Sequence, residues 1–225
     1  MANRPPFEIE EWYHCFNRGV EKRKVFEDEL DANRFLMLLH LANGDESVEL
    51  FNERKPKLDK AFAIERGEPI VAVGAYCLMP NHFHLLLKET SEGGISSFMR
   101  KLGVAYTMYF NARNERVGNL FLKPFRSRHV ATDGYFQQVL QYIHCNPAEL
   151  WESGWKAGRG RNIRLLEKKL IEYPYSSLRH FAQDKHITPI ISSDVFKAAN
   201  QLPVLQMLEE AQAYYAQTAT ENFER

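Results

Sequence analysis

The sequence has 225 residues, 44% of them hydrophobic, and its 29 basic and 29 acidic side chains give a formal net charge of zero. This composition excludes wholesale disorder, and the length suits one decorated domain or a domain with a small appendage. The absence of any apolar run of about 18 residues and of a secretory signal pattern leads us to expect a cytoplasmic protein without a membrane partner. Cys15, Cys77 and Cys145 are spaced for neither a zinc site nor a disulfide framework, which predicts reduced, buried thiols.

The distribution of charge carries more information than its sum. A neutral chain argues weakly against nucleic-acid binding, whose usual footprint is basic. However, residues 113–128 contain five basic side chains against one acid, and residues 156–169 contain six against one. Such segregation can produce a basic face on a neutral molecule, although a solvated charged run remains the alternative for either segment.

The chain begins with a predicted strand followed by a helix. Residues 12–17 are aromatic and β-leaning, and Asn17-Arg18-Gly19 supplies turn chemistry after them. Asp31 is a potential N-cap for a helix that runs to about Ala42 with its apolar residues on one stripe. The charged stretch 45–68 predicts a short helix and a loop added to the basic plan.

A hairpin and a long helix follow. Residues 70–78 form a nearly continuous apolar run, which is typical of a buried central strand. Met79-Pro80-Asn81 predicts a tight turn because proline restricts both itself and the residue before it. Residues 82–88 complete the hairpin, and an amphipathic pattern predicts a helix from about Ser96 to Asn114.

The remaining elements are shorter. Residues 126–131 predict a strand, and Asp133 is a potential cap of a helix that ends near Asn146 because Pro147 follows. Residues 150–185 are basic and predict mainly loops, whereas 193–217 predict a helical tail with a break at a proline.

This order of elements predicts an α+β fold of the ferredoxin-like, split βαβ type. An antiparallel four-stranded sheet would carry two helices on one face, and a third helix would be left to pack elsewhere. We expect a catalytic domain over residues 1–185 and a helical C-terminal extension over 186–225.

His82 and His84 form the sharpest local motif. Alternate residues of a strand point to the same face, so both imidazoles can approach one point while Phe83 packs on the other face. Imidazole nitrogens are good ligands for divalent metals, although two histidines with ordinary hydrogen bonds are the alternative.

Tyr142 and Asn146 lie beside the apolar stripe of their helix. The stripe runs from Phe136 to Ile143 at helical spacing, with Tyr142 about 110–120° from its centre and Asn146 about 40° from Tyr142. The core therefore does not require this pair, although a surface tyrosine and a terminal asparagine are the alternative. Tyr135 shares the same side of the helix.

Read together, these segments resemble a known family, the single-tyrosine HUH transposases, and within it the REP-associated tyrosine transposases. The similarity is collinear from about residue 12 to residue 180, although the insertion at 45–68 is longer than usual and the tail past 185 has no match. The segments that carry it are WYHCFNRGVEKRKVFEDELDANRFLMLL (12–39), AYCLMPNHFHLLLKE (75–89), SSFMRKLGVAYTMYFNARNERVGNLFLKPFRSRHV (96–130), YFQQVLQYIHCNP (135–147) and YPYSSL (173–178).

The resemblance implies that His82 and His84 are metal ligands and that Tyr142 is the nucleophile, with Tyr135 as its rival. Asn146 takes the position where relatives have Gln or Asn helping to hold the metal. It implies Mg²⁺ or Mn²⁺ as the ion, whereas the histidines alone would also suit Zn²⁺. The implied activity is cleavage and rejoining of single-stranded or hairpin DNA in the bacterial nucleoid, through a 5′-phosphotyrosine link.

The two basic segments then become candidates for contact with the DNA backbone. The candidate DNA-binding residues are Arg113, Arg116, Lys123, Arg126, Arg128, Arg159, Arg161 and Arg164.

Three alternatives remain. A replication-initiator nickase would use the same chemistry, and a domesticated regulator would bind hairpin DNA without cutting it. An RNA-binding module on a ferredoxin-like sheet would expose aromatic residues on its central strands, whereas these strands carry histidine and aliphatic residues. The sequence does not decide between a monomer and a homodimer.

Overall fold

The computed structural model describes residues 6–45, 57–157, 162–182, 188–193, 195, 199 and 202–218. The strands are β1 (Trp12–Arg18), β2 (Val71–Met79), β3 (His82–Glu89) and β4 (Arg126–Val130). The helices are α1 (Glu29–Leu41), α2 (Leu58–Phe62), α3 (Gly94–Arg113), α4 (Asp133–Cys145), α5 (Ile163–Glu172), α6 (Leu178–Ala182) and α7 (Val204–Thr218), with 3-10 turns at Val20–Lys22, Asn146–Leu150 and Trp155–Ala157.

The four strands form one antiparallel sheet in the order β2-β3-β1-β4. This order and the intervening helices confirm the predicted α+β, ferredoxin-like arrangement. The insertion contributes α2, whereas its residues 46–56 lie outside the described part of the chain.

One face of the sheet, which we call the hydrocarbon face, packs against α1 and α3. Cross-strand partners share a face, so Cys15 lies beside Leu85 on it and Phe83 points the same way. The Phe83 ring lies 4.8 Å from that of Phe35 on α1, which in turn lies 5.0 Å from Tyr106 on α3. Burial of these rings fixes the two helices on the sheet.

The opposite face carries polar side chains, and we call it the histidine face. By strand alternation and register this face includes His14, Phe16, Arg18, His82, His84, Arg126 and Arg128. Helix α4 packs over this face, with the Phe136 ring 5.2 Å from Trp12. The third helix, which was predicted to pack outside the two-helix layer, therefore covers the face that carries His82 and His84.

Segments after residue 150 enclose α4 and the edge of the sheet. Helix α7 packs against α4 and α5. The edge strand β2 is capped by hydrogen bonds from Ser177 N to Tyr76 O and from Ser192 N to Val73 O, both 2.9 Å long. Covering an edge in this way satisfies strand groups that would otherwise remain open to another chain. The domain boundary expected at residue 185 stays a prediction.

The start of α1 differs from the prediction. Asp28, not Asp31, caps the helix, and its Oδ1 accepts from Asp31 N at 3.1 Å. Asp31 is fully buried inside the first turn, where it accepts hydrogen bonds from Glu27 N, Tyr109 Oη and Arg113. Its role is to join α1 to α3.

The C-terminal half also differs in two places. Thr132, not Asp133, caps α4, and its side chain accepts a hydrogen bond from Tyr135 N. The α-helix ends before Pro147, as predicted, and the chain continues as a 3-10 turn, in which the missing N–H of Pro147 is tolerated. The stretch 150–185, predicted as mainly loops, contains α5 and α6, because Leu166 and Leu170 give α5 a buried side despite its many charges.

Two further expectations can be compared with the described residues. Cys15, Cys77 and Cys145 are buried thiols, as predicted. No described helix is long and apolar enough to cross a membrane.

Candidate active site

The histidine pair lies where β3 leaves the hairpin turn. The rings of His82 and His84 have centroids 5.0 Å apart and are nearly perpendicular, at 88°. His84 is only 2% exposed, because α4 covers it. Two imidazoles on one face of a strand are thus presented to the same space beneath α4.

Asn81 determines which nitrogen of His82 is available. The His82 Nδ1 lies 2.6 Å from Asn81 Oδ1, and the other end of that amide, Nδ2, donates to Lys22 O at 3.3 Å. Because an amide oxygen can only accept, His82 Nδ1 carries the hydrogen, and neutral His82 then bears its lone pair on Nε2.

The turn that holds Asn81 depends on Gly19. Gly19 N donates to Asn81 O at 2.9 Å. A Cβ at Gly19 would approach the Arg23 carbonyl oxygen to 2.5 Å, a distance that side-chain carbons do not tolerate. The glycine after β1 therefore permits the close approach of two chain segments on which the His82 orientation rests.

His14 on β1 is a functional candidate that the sequence analysis missed. It is fully buried, and its Nε2 lies 3.0 Å from His84 Nδ1. Burial, with a smaller contribution from Arg128, lowers the pKa of His14 to about 3. Burial and the neighbouring His82, His14 and Lys156 hold the pKa of His84 well below its usual range, so both imidazoles are neutral at pH 7.

Tyr142 reaches the same space from α4. Its ring centroid lies 5.2 Å from that of His84 and 5.5 Å from that of His14, and Lys156 Nζ lies 5.5 Å from the ring. Tyr135, the rival nucleophile, lies two helical turns earlier, in the first turn of α4.

The burial of Tyr142 differs from the lateral, more open position that the helical pattern indicated. Tyr142 is 3% exposed, and every residue from 139 to 148 is buried. The sheet covers one side of this segment, and α7 with the later turns covers the other. The periodicity of α4 alone contains no information about this second cover.

Asn146 follows Tyr142 by one helical turn, which places the two on adjacent positions of the same side. Asn146 is fully buried, and neither atom of its amide has a hydrogen-bond partner among the described residues. A buried amide without partners is rare in folded proteins and points to a ligand that the protein alone does not supply.

The donor atoms of His82, His84 and Asn146 are chemically suited to a divalent metal ion. His84 Nε2 is buried and lacks a hydrogen-bond partner within the described chain, as does the Asn146 amide oxygen. Within the same residues no three His, Cys, Asp or Glu side chains converge on one point. Two imidazoles and one amide would therefore leave coordination positions for phosphate or water oxygens.

An open cleft adjoins the histidines. It is lined by His82 and His84 together with Phe16, Asn17, Arg18, Leu122, Pro124 and Arg126. Arg18 lies directly opposite His82 in the β1–β3 ladder, and its Nε is buried without a partner among the described residues. From the sequence Arg18 was expected in a turn, and only the strand register places it beside His82.

The predicted DNA-binding residues fall into separate groups. Arg126 and Arg128 are exposed on the histidine face, and Lys123 is exposed in the loop before β4. Arg113 instead forms ion pairs with Asp28 and Asp31 at the far end of α3.

Two further basic candidates are described, Arg116 in the loop after α3 and Arg164 on α5. Arg116 is bound to Asn111 and to the carbonyl oxygen of Asn119. Arg164 is exposed on α5, and Arg159 and Arg161 lie outside the described residues.

Comparison with known proteins identifies the family. A protein-family model described as "Transposase IS200 like" matches residues 10–146, which is more than half of the chain. The chain belongs to the IS200-like transposase family. The match includes His82, His84, Tyr142 and Asn146 within its bounds, so the candidate site lies in the part of this transposase that defines the family.

A solved structure supports the fold independently. It is described as the structure of a REP-associated tyrosine transposase bound to a REP hairpin, and it matches with a TM-score of 0.51 at 12% identity, over 87% of this chain and 93% of that chain. At that identity the likeness concerns the fold. A search of curated proteins gave no significant match.

Proposed function

We propose that this transposase cuts and rejoins single-stranded DNA at hairpins, with Tyr142 as the nucleophile. The observation that carries the proposal is the burial of the Tyr142 ring against His84, 5.2 Å between centroids, on a fold of the transposase family. The hairpin-bound transposase that shares the fold supports hairpin DNA as the substrate class.

In the proposed reaction the Tyr142 oxygen attacks the phosphorus of the scissile phosphodiester. The phenol loses its proton, a tyrosine–phosphorus bond forms, and the bond from phosphorus to the 3′ oxygen breaks, so that oxygen leaves as a 3′-hydroxyl. The energy of the broken ester is kept in the 5′-phosphotyrosine, and a second 3′-hydroxyl can reverse the step on another strand. Lys156, whose ammonium lies over the Tyr142 ring, would stabilise the phenolate as it forms.

His82, His84 and Asn146 would hold the divalent ion, Mg²⁺ or Mn²⁺. When bound there, it would supply Lewis-acid stabilisation of the charge that develops on the scissile phosphate and the leaving oxygen. The orientation of His82 by Asn81 and the exclusion of water by α4 are contributions of the protein itself.

The DNA strand would reach Tyr142 through the open cleft. Arg18, Arg126 and Arg128 line or flank it with positive charge, and Phe16 offers a ring on which an unpaired base can stack. Lys123 would extend this basic surface, whereas Arg159, Arg161 and Arg164 remain candidates for the hairpin stem. A single strand can enter because its bases and backbone are free to turn, which a plain duplex does not allow.

The nucleophile is tested with a 3′-end-labelled pool of hairpin oligonucleotides that carry randomised single-stranded flanks. With Mn²⁺, the parent protein should retain label on a denaturing gel, because the 5′ phosphate of the labelled fragment becomes attached to it. Tyr142→Phe should give no adduct while binding the pool with an affinity within about twofold, since only a hydroxyl is lost. Tyr135→Phe is the matched control and should retain the adduct.

Adduct in Tyr142→Phe would move the nucleophile elsewhere, first to Tyr135. Hairpin binding by the parent protein without any adduct would instead favour a regulator that no longer cuts. Full cleavage in excess EDTA would exclude the metal-dependent reaction.

A further inference from the structure

His14 contacts the candidate site without having any part in the proposed reaction. It lies on β1, beside β3, and its Nε2 faces His84 Nδ1 at 3.0 Å in a region where both rings are buried. Its other nitrogen, Nδ1, is buried and has no hydrogen-bond partner within the described part of the chain. Among the described residues, His84 is therefore the hydrogen-bond partner of the His14 ring.

The contact between the two imidazoles contains a single proton. A hydrogen bond between two imidazole nitrogens 3.0 Å apart needs an N–H on one ring and a lone pair on the other. Either His84 donates from Nδ1 to His14, or His14 donates from Nε2 to His84. Only the first arrangement leaves a lone pair on His84 Nε2, the nitrogen that can bind a metal ion.

His82 shows the same arrangement with a simpler partner. Asn81 Oδ1 can only accept, so His82 is held with its hydrogen on Nδ1 and its lone pair on Nε2. The two histidines thus receive their orientation from different partners, His82 from the Asn81 amide in the hairpin turn and His84 from the His14 imidazole on β1.

We propose that His14 is a positioning residue for the metal site: it accepts the hydrogen bond from His84 Nδ1 and so fixes His84 in the form that binds a divalent cation through Nε2. This inference rests on the proposed function, in which His84 is a ligand. Outer partners of metal-bound histidines of this kind are worth about 10–100-fold in metal affinity.

The first test measures Mn²⁺ affinity in the absence of DNA, from the electron paramagnetic resonance signal of the free ion. His14→Leu should weaken binding about 10–100-fold because the acceptor is lost. His14→Gln should restore much of the affinity, since its amide oxygen can accept from His84. His40→Leu is the control, because His40 is an equally buried histidine, 5% exposed, on α1 away from the site.

A second test needs no substitution and is independent of folding defects in a variant. In ¹⁵N-labelled parent protein loaded with Zn²⁺, which is diamagnetic, nitrogen shifts should show the hydrogen of His84 on Nδ1 and that of His14 on Nδ1. A scalar coupling should be visible across the hydrogen bond between His84 Nδ1 and His14 Nε2.

The outcomes separate this inference from the proposed function. Equal Mn²⁺ affinity in His14→Leu and the parent protein, with affinity still lost in His84→Ala, would overturn the role of His14 alone. An Nε2-bound hydrogen on His14 in the loaded protein would do the same. An unchanged Mn²⁺ affinity in His84→Ala would instead overturn the metal site of the proposed function.

Discussion

The two faces of the sheet are built on different principles although they share the same four strands. On the hydrocarbon face, rings from β3, α1 and α3 pack together, and a polar group that enters is paired: Tyr106 Oη donates to Val25 O. On the histidine face, His14 Nδ1, His84 Nε2 and the Asn146 amide are buried without partners among the described residues.

Each unpaired buried polar group costs about 1–3 kcal/mol of folding free energy. The histidine face therefore stabilises the fold less than the hydrocarbon face does. One sheet thus has a side selected for packing and a side that accepts such a penalty. We therefore expect substitutions on the histidine face to reduce catalysis more than stability. Substitutions on the hydrocarbon face should reduce stability more than catalysis.

The largest effect on activity is expected from His84→Ala. Cleavage of hairpin DNA should fall by more than about a hundredfold, beyond the range seen for outer partners of metal ligands. The hydrogen bond to His14 is lost, but the unsatisfied Nε2 is removed with it, so the melting temperature should fall less than after the loss of a buried ring on the hydrocarbon face. Single-turnover cleavage and thermal melts measure both quantities, and a large loss of stability in this variant would remove the distinction between the faces.

The neighbouring residue on the same strand provides the opposite case. Phe83 is 2% exposed and packs against Phe35 and Phe121 on the hydrocarbon face. Phe83→Ala should lower the free energy of unfolding by about 3–5 kcal/mol, as ring-to-alanine changes in cores do. Cleavage per folded molecule, measured at low temperature, should stay near the parent value.

A smaller effect separates two arginines predicted together from the sequence. Arg126→Ala should reduce the dependence of log K on log [salt] by about 0.7–0.9, the contribution of one phosphate contact. Arg113→Ala should leave that slope unchanged, because its side chain is bound to Asp28 and Asp31. Filter binding from 50 to 300 mM salt measures the slopes, and a lower slope for Arg113→Ala would place DNA on the far end of α3.

The smallest predicted effect is the pH dependence of that ion pair. The hydrogen bond from Arg113 lowers the pKa of Asp28 from 3.8 to about 2. A carboxyl whose pKa is lowered by folding stabilises the protein above its unfolded pKa and loses this contribution as pH falls through the folded one. The difference in melting temperature between the parent and Arg113→Met should therefore narrow as pH falls from 5 to 2, and a constant difference would contradict the assignment.

Sequence patterns were sufficient for the elements whose burial is local. Strand alternation predicted that His82 and His84 share a face, and helical spacing predicted the stripe of α4 that faces the sheet. The same rules could not find His14 or Arg18, because their places in the site depend on which strand lies beside β3. For α5, the spacing of Leu166 and Leu170 was a usable signal that the surrounding charges obscured.

The burial of Tyr142 shows a second limit. Its outer cover comes from residues far along the chain, and no pattern within α4 encodes a later neighbour. The N-cap of α1 was predicted wrongly for a simpler reason. Asp28 and Asp31 are three residues apart, and the buried contacts of Asp31 are needed to decide which of them begins the helix.

The covering of α4 bears on how much of this protein must be expressed together. The family match ends at residue 146, immediately after the helix that carries the tyrosine. Beyond that point Trp155 is buried against the same core, α7 packs on the outer side of α4, and Glu210 accepts a hydrogen bond from Gln141 at 2.7 Å. A fragment cut at the edge of the family signature would leave that outer side bare, and an apolar surface of this kind promotes aggregation. The segment that matches the family model is thus shorter than the segment whose side chains share one hydrophobic core.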